Sequence, residues 1–401
     1  MKRSQIRFLF LNLGHFFDHF FLLIFATVAI LGLTREWGLS YAELIPYATP
    51  CFVAFGVCTI PAGWLADRWS REGMMVVFFI GIGAAALLVA LTNTPTQMAI
   101  GLTIVGIFAA IYHPVGLAMV VEGRIKTGIP LAINGISGNM GVASAALLSG
   151  FLIDSSSWRA AFAVPGVVSI LVGATYLVFL RTESPTHKTV AHHVAGIKPG
   201  RINRRTLLKV FAVIFFTTAM GGLIFQSTTF ALPKIIEERL ADLANTATLV
   251  GWYSFLVFSL AAFAQLVVGY LVDHHSIRSV FLGVAILQAG FFAIMSQLTG
   301  IPALLVAIAF MLVVFGQIPI NDVLVGRMAR SEWRSRAYSL RYIVTFSVMA
   351  SAVPLIAWIH GSWGFDTLFI ILSAAALLIF IAILFLPKSD DPLMRGTTAT
   401  E

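Results

Sequence analysis

The chain has 401 residues, 59% of them hydrophobic and 11% charged, with 26 Lys and Arg against 18 Asp and Glu, and a mean hydropathy of +0.92. That composition excludes an ordinary soluble domain and describes an integral membrane protein whose solvent is mostly lipid. The two cysteines, Cys51 and Cys58, lie about two helical turns apart on one apolar run, which excludes a disulfide framework.

A window of about twenty residues predicts twelve apolar spans, near 8–33, 42–66, 73–92, 97–121, 128–153, 159–181, 207–232, 247–272, 278–299, 301–325, 335–360 and 364–386. The basic start "MKRSQIRFLF" precedes an apolar stretch too long for a signal peptide and without a small-residue cleavage site, so it reads as a retained first span. In that span Asn12, His15, Asp18 and His19 follow three- and four-residue spacings and share one helix face. Asp18 sits about ten residues in, roughly 15 Å deep, near the middle of a hydrocarbon layer of about 30 Å. A charge there costs at least about 2.5–3.5 kcal/mol, so this face is expected to line a water-filled cavity. An aspartate among histidines can take up and release protons, which makes Asp18, His15 and His19 the candidate proton site. The other reading is that Asp18 only holds His15 or a neighbouring helix by hydrogen bonds.

Between the second and third spans lies "GWLADRWSREG", carrying Asp67, Arg68 and Arg71. The fourth span holds "IYHPVG", where Pro114 lacks a backbone donor and is expected to kink the helix beside His113. Tyr112 next to it is a candidate for stacking on an aromatic substrate. The fifth span carries Asn134, Gly135, Gly138, Asn139 and Gly141, small residues at spacings that let helices approach closely. Asn139 and Asn12 are candidate cavity residues.

The segment Arg181–Lys209 has seven basic residues and three histidines and divides the spans six and six, as a linker does. His187, His192 and His193 there have no carboxylate or thiol partner, so no metal centre and no cofactor is expected. In the second half Gln226 reads either as a substrate contact or as a bond to a neighbouring helix. Asp322 with Asn321, and Arg341, read either as an inner gate or as groups that each reach the interface. Trp252 and Tyr253 read as an outer aromatic belt.

With the N-terminus inside, the cytoplasmic segments hold 21 of the 26 Lys and Arg, a bias that puts both termini in the cytoplasm. The net charge of +8 follows from this topology and requires no nucleic-acid partner. After the eighth span "GYLVDHHSIRS" repeats the earlier loop, so that Gly63, Leu65 and Asp67 meet Gly269, Leu271 and Asp273. "WRAAF" at Trp158 and "WGFDTLF" at Trp363 repeat at nearly the same offset. Two landmarks at one offset predict two homologous halves.

Gly63, Leu65, Ala66, Asp67, Arg68 and Arg71 match the G-x-L-a-D-r-x-x-r signature between helices two and three of the major facilitator superfamily, which the chain resembles over nearly its whole length. The resemblance implies an all-α membrane fold of twelve transmembrane helices in two pseudo-symmetric six-helix bundles. Its expected parts are an N-terminal bundle at 1–181, a cytoplasmic linker at 182–206, a C-terminal bundle at 207–388 and a tail at 389–401. It also implies a gate latch at Asp67, Arg68, Arg71 and, more weakly, Asp273. His113 is expected to meet the first-helix cluster, because helices one and four line the family's cavity. "LGHFFDH", "VGIFAAIYHPVG" and "INGISGNMGVASAALLSGFL" further resemble the fosmidomycin-resistance group of drug exporters. Asp18 follows His15 by three residues where that group has four, and "VGLAMVV" replaces its polar stretch after His-Pro. A glycine-rich fifth helix is associated with export in such carriers; a tight helix crossing is the equal alternative.

No G-x-x-x-x-G-K-[ST] loop or H-E-x-x-H spacing is present, which argues against ATP-driven transport and against an enzyme. The expectation is a monomeric, proton-coupled carrier of a small organic molecule in a bacterial-type inner membrane, with lipid, substrate and protons as its partners. Export by proton antiport is favoured; proton-coupled uptake and a non-transporting receptor on the same fold are the rivals.

Overall fold

The computed structural model describes residues 2–124, 128–182, 204–328 and 331–387. Every regular element among them is helical, as a lipid solvent requires, because a helix satisfies its backbone hydrogen bonds within one segment. In chain order they are α1 (Arg3–Val28), α2 (Thr49–Arg68), α3 (Arg71–Ala90), α4 (Pro95–Ala109), α5 (Tyr112–Val121), α6 (Gly128–Ser155), α7 (Trp158–Arg181), α8 (Arg204–Arg239), α9 (Ala247–His274), α10 (Ile277–Met295), α11 (Gly300–Met328) and α12 (Ser331–Leu384). Short helical pieces connect α1 to α2. The first is a π-helical turn, Ala29–Leu33, which leads through Thr34–Trp37 to Gly38 in the left-handed conformation.

Local chemistry sets several of these ends. The Ser70 hydroxyl accepts from the Gly73 N–H at 3.0 Å to open α3. Thr94 accepts from Gln97, with Pro95 pre-set for the first turn of α4. The expected kink before His113 and Pro114 is present, since α4 and α5 are separated by a turn at Ala110 and Ile111.

Among the described residues, eleven helical stretches are long and apolar enough to cross a membrane. The sequence predicts twelve. The difference lies in the last candidate, Ile343–Leu384, where the expected eleventh and twelfth spans run on within α12. Only Gly364 leaves helical geometry there, at φ 75° and ψ −175°, a conformation costly for any residue with a Cβ. A single glycine, rather than a loop, marks that break.

The described residues fall into two compact units, one within Met1–Val194 and Leu243–Leu256, the other within Ala195–Asp242 and Val257–Glu401. In the first, α1 packs on α6, α3 on α7 and α2 on α4, around fully buried Phe20, Phe21, Phe78, Phe79 and Tyr176. In the second, α8 and α10 pack on α12 around buried Phe281 and Phe292. There Arg239 pairs with Asp366, and His360 Nε2 lies 2.9 Å from Glu238 beside Lys234. Outer faces carry exposed Val57, Ile60, Leu171 and Ile370, the arrangement for a surface solvated by lipid. Nearly all of the expected linker and all of the expected tail lie outside the described residues.

Candidate functional site

The polar face of α1 packs where α5 and α6 meet it. His15 Nδ1 lies 2.8 Å from the Asn134 carbonyl and 3.0 Å from Asn134 Oδ1. Both partners accept, so Nδ1 carries the proton and Nε2 presents a lone pair. That Nε2 is 3.1 Å from His19 Nε2, one turn along α1. From α5, His113 Nε2 approaches Asp18 Oδ2 at 3.3 Å. The three imidazoles form a triangle, with ring centroids 4.9 Å apart for His15 and His19, 5.4 Å for His15 and His113, and 5.5 Å for His19 and His113.

Asp18 is 0% exposed, and its Oδ1 has no hydrogen-bond partner among the described residues. The sequence places this carboxylate on a water-filled cavity; the structure instead seals it, leaving only His19 and His113 of the cluster in part exposed. His113 of α5 stands against Asp18 at 3.3 Å, and beside it α6 approaches α1 closely. A Cβ on Gly141 would stand 2.1 Å from the Phe16 carbonyl oxygen, and one on Gly138 2.7 Å from the His15 ring, so hydrogen at both positions is what lets the helices meet. The fifth-span glycines thus form the tight crossing that was one of their two readings.

Tyr112, expected to stack on substrate, is fully buried. It stacks on His15, and its hydroxyl donates to the Leu11 carbonyl at 2.9 Å, so in this conformation it positions α1 and offers no ring face to a ligand. Asn12 Oδ1 accepts from Asn134 Nδ2 at 3.0 Å. Asn134 therefore joins Asn12, His15 and Tyr112, a hub that the sequence marks only as a polar residue on the glycine face, four before Gly138. Asn139 is buried, with its Nδ2 atom lacking a hydrogen-bond partner among the described residues.

At the end of α2, Arg71 reaches Asp67 at 2.9 Å and Glu122 at 3.6 Å, and Arg7 pairs with Glu72. Arg68 lies over the Trp64 ring at 4.7 Å. Glu122, Glu72 and Arg7 extend the expected group; they were not singled out because each sits at a span end among ordinary loop charges. Gly63 faces Pro114, to which a Cβ would stand at 3.2 Å. Asp273 is exposed at the end of α9.

In the second unit Gln288 Nε2 donates to Gln317 Oε1 at 2.8 Å, a bond between α10 and α11 that the sequence did not pair. Thr217 donates to Asn321 at 3.3 Å. Gln226 is buried, its Nε2 without a hydrogen-bond partner among the described residues. Arg341 is 9% exposed. The side chain of Asp322 lies outside the described residues, and with it the expected pair with Arg341.

The sequence pattern of the Major Facilitator Superfamily matches residues 11–241 and 238–401. The chain is 22% identical over 293 residues to the 4-hydroxybenzoate transporter PcaK of Pseudomonas putida, covering 65% of this chain and 64% of that relative's length. It is 23% identical over 399 residues to a Na(+), Li(+), K(+)/H(+) antiporter of Planococcus maritimus, covering 91% and 92%. Its fold is similar to that of the crystallised D-xylose-proton symporter, with TM-score 0.74 at 13% identity over 97% of this chain and 98% of the other. It is also similar to a POT family transporter in complex with 5-aminolevulinic acid, with TM-score 0.76 at 14% identity over 98% and 97%. These relatives and neighbours are transporters rather than enzymes. With matches that run from the first helix to the last residue, the chain belongs to the Major Facilitator Superfamily.

Proposed function

We propose that this protein is a proton-coupled secondary transporter that exports a small organic molecule by alternating access. The observation that carries this reading is the Asp18 carboxylate, sealed in an apolar bundle near the middle of a helix long enough to span the membrane, with His113 at 3.3 Å. Burying such a group costs several kcal/mol of folding energy at most depths, which argues for a use beyond packing. Asp18 is the coupling residue, with His15, His19 and His113 as its partners. Asn12, Asn139, Gln226 and Arg341 are the groups offered to substrate as the bundles move. Asp67, Arg68, Arg71, Asp273 and Asp322 are the gate. The break at Gly364 is taken as the divide between an eleventh and a twelfth span, giving two six-helix bundles with both termini in the cytoplasm. The likeness of the His15, His113 and Asn139 segments to the fosmidomycin-resistance group favours export, as does the near full-length antiporter relative.

Uptake by proton symport is the rival, since it uses the same fold and the same carboxylate. The test begins with a thermal-stabilisation screen on purified protein, 4-hydroxybenzoate included, to select a probe. That probe is then followed in right-side-out and inverted vesicles under an imposed pH gradient. Movement of probe against the proton direction is expected; movement with it overturns export. Asp18→Asn is expected to abolish gradient-driven accumulation while the protein still folds and retains probe binding, and wild-type accumulation in that variant refutes the coupling role.

A further inference from the structure

The imidazole triangle has a second chemical property that does not depend on proton coupling. One ring nitrogen from each of His15, His19 and His113 can be chosen so that the three lie within 4.8 Å of one another. In a tetrahedral site with metal–nitrogen bonds of about 2.0–2.1 Å, neighbouring donor nitrogens stand about 3.3 Å apart and ring centres about 5 Å apart. The His15–His19 nitrogen separation is 3.1 Å, and the centroid distances of 4.9, 5.4 and 5.5 Å are near those of such a site. Closing the widest gap asks for a shift of about 1.5 Å in part-exposed rings.

Three further observations point to a cation. The hydrogen bond from His15 Nδ1 to the Asn134 carbonyl fixes the tautomer whose Nε2 is a donor, the support that metal-bound histidines regularly have. Two imidazole nitrogens facing each other at 3.1 Å share either one proton or one cation. Finally, the Asp18 carboxylate is 0% exposed with its Oδ1 lacking a hydrogen-bond partner among the described residues, a negative group beside the triangle that a divalent ion would neutralise.

We infer that His15, His19 and His113 form a binding site for a divalent first-row transition-metal ion of the zinc type, with the Asp18 carboxylate, 3.3 Å from His113 Nε2, as the adjacent negative charge. Three imidazoles suit such an ion and disfavour magnesium or calcium, which take oxygen donors.

The experiment uses the full-length protein purified without a histidine tag, with His187, His192 and His193 replaced by alanine so that the linker contributes nothing. Co2+ is the probe. One equivalent per chain is expected, with the intense visible bands of four-coordinate cobalt, displaced by Zn2+. His19→Ala and His113→Ala are each expected to weaken Co2+ binding at least tenfold. Asn134→Ala, which leaves all three imidazoles in place, is expected to weaken it about tenfold through the orientation of His15. Should a variant fail to fold, the parent spectrum decides: six-coordinate bands, or no cobalt bound at micromolar concentration, overturn the inference. Unchanged binding in folded His19→Ala and His113→Ala also overturns it. Transport by the parent protein is measured separately, so loss of the metal site and loss of the carrier reading are distinct results.

Discussion

At the scale of single residues, the organising atom set belongs to Asn134. Its side chain and carbonyl together meet His15 and Tyr112 in buried bonds and Asn12 in a part-buried one. Replacing it with leucine leaves the Tyr112 hydroxyl one partner fewer and removes the side-chain acceptor of His15. Stranded polar groups of this kind cost about 1–3 kcal/mol each. Asn134→Leu is therefore expected to lower the thermal unfolding midpoint of the purified protein, and a midpoint at or above the parent's would show that the hub carries no stability. The residues of α1 were legible in sequence because three- and four-residue spacings put His15, Asp18 and His19 on one face whatever surrounds them. Asn134 and Gln317 were not, because their roles depend on which helix lies opposite, and one chain's periodicity does not state its neighbours.

At the scale of elements, α6 meets α1 through glycine. The obstacle to a side chain at Gly141 is the Phe16 backbone oxygen, which cannot rotate away. Gly141→Ala must push α1 off α6 and take His15 from Asn134, so it is expected to lower the unfolding midpoint. Gly283 in α10 is the contrast, since a Cβ there meets nothing within 4 Å. Gly283→Ala is expected to raise stability by up to about 1 kcal/mol through helix propensity alone. The two are compared by unfolding midpoint in the same detergent; equal shifts would show that the close approach is unimportant. Hydropathy divides the last two expected spans between 360 and 364, and Gly364 is where α12 leaves helical geometry, a one-residue break with no loop between helical segments.

At the scale of the whole molecule, the charges around Asp67, Arg71 and Glu122 are surface pairs, and such pairs contribute only about 0–1 kcal/mol to stability. If they serve as a latch, their effect belongs to the cycle rather than to the fold. Asp67→Asn is expected to slow probe transport several-fold with an unfolding midpoint close to the parent's. A lowered midpoint with unchanged transport would reassign the group to structure. The signature that identifies this loop was readable because it is local and repeated; which glutamate answers Arg71 was not, since Glu122 is distant in sequence.

The sealing of Asp18 bears finally on leakage. A carrier that kept its acid open to water on either side would let protons slip through without cargo, dissipating the gradient that drives it. Here the carboxylate is wholly enclosed and its neighbours His19 and His113 are only partly exposed. Under the proposed function, a proton reaches Asp18 only when the fold opens, on the microsecond-to-millisecond scale of such motions. The same packing that makes the acid costly to bury is then its insulation.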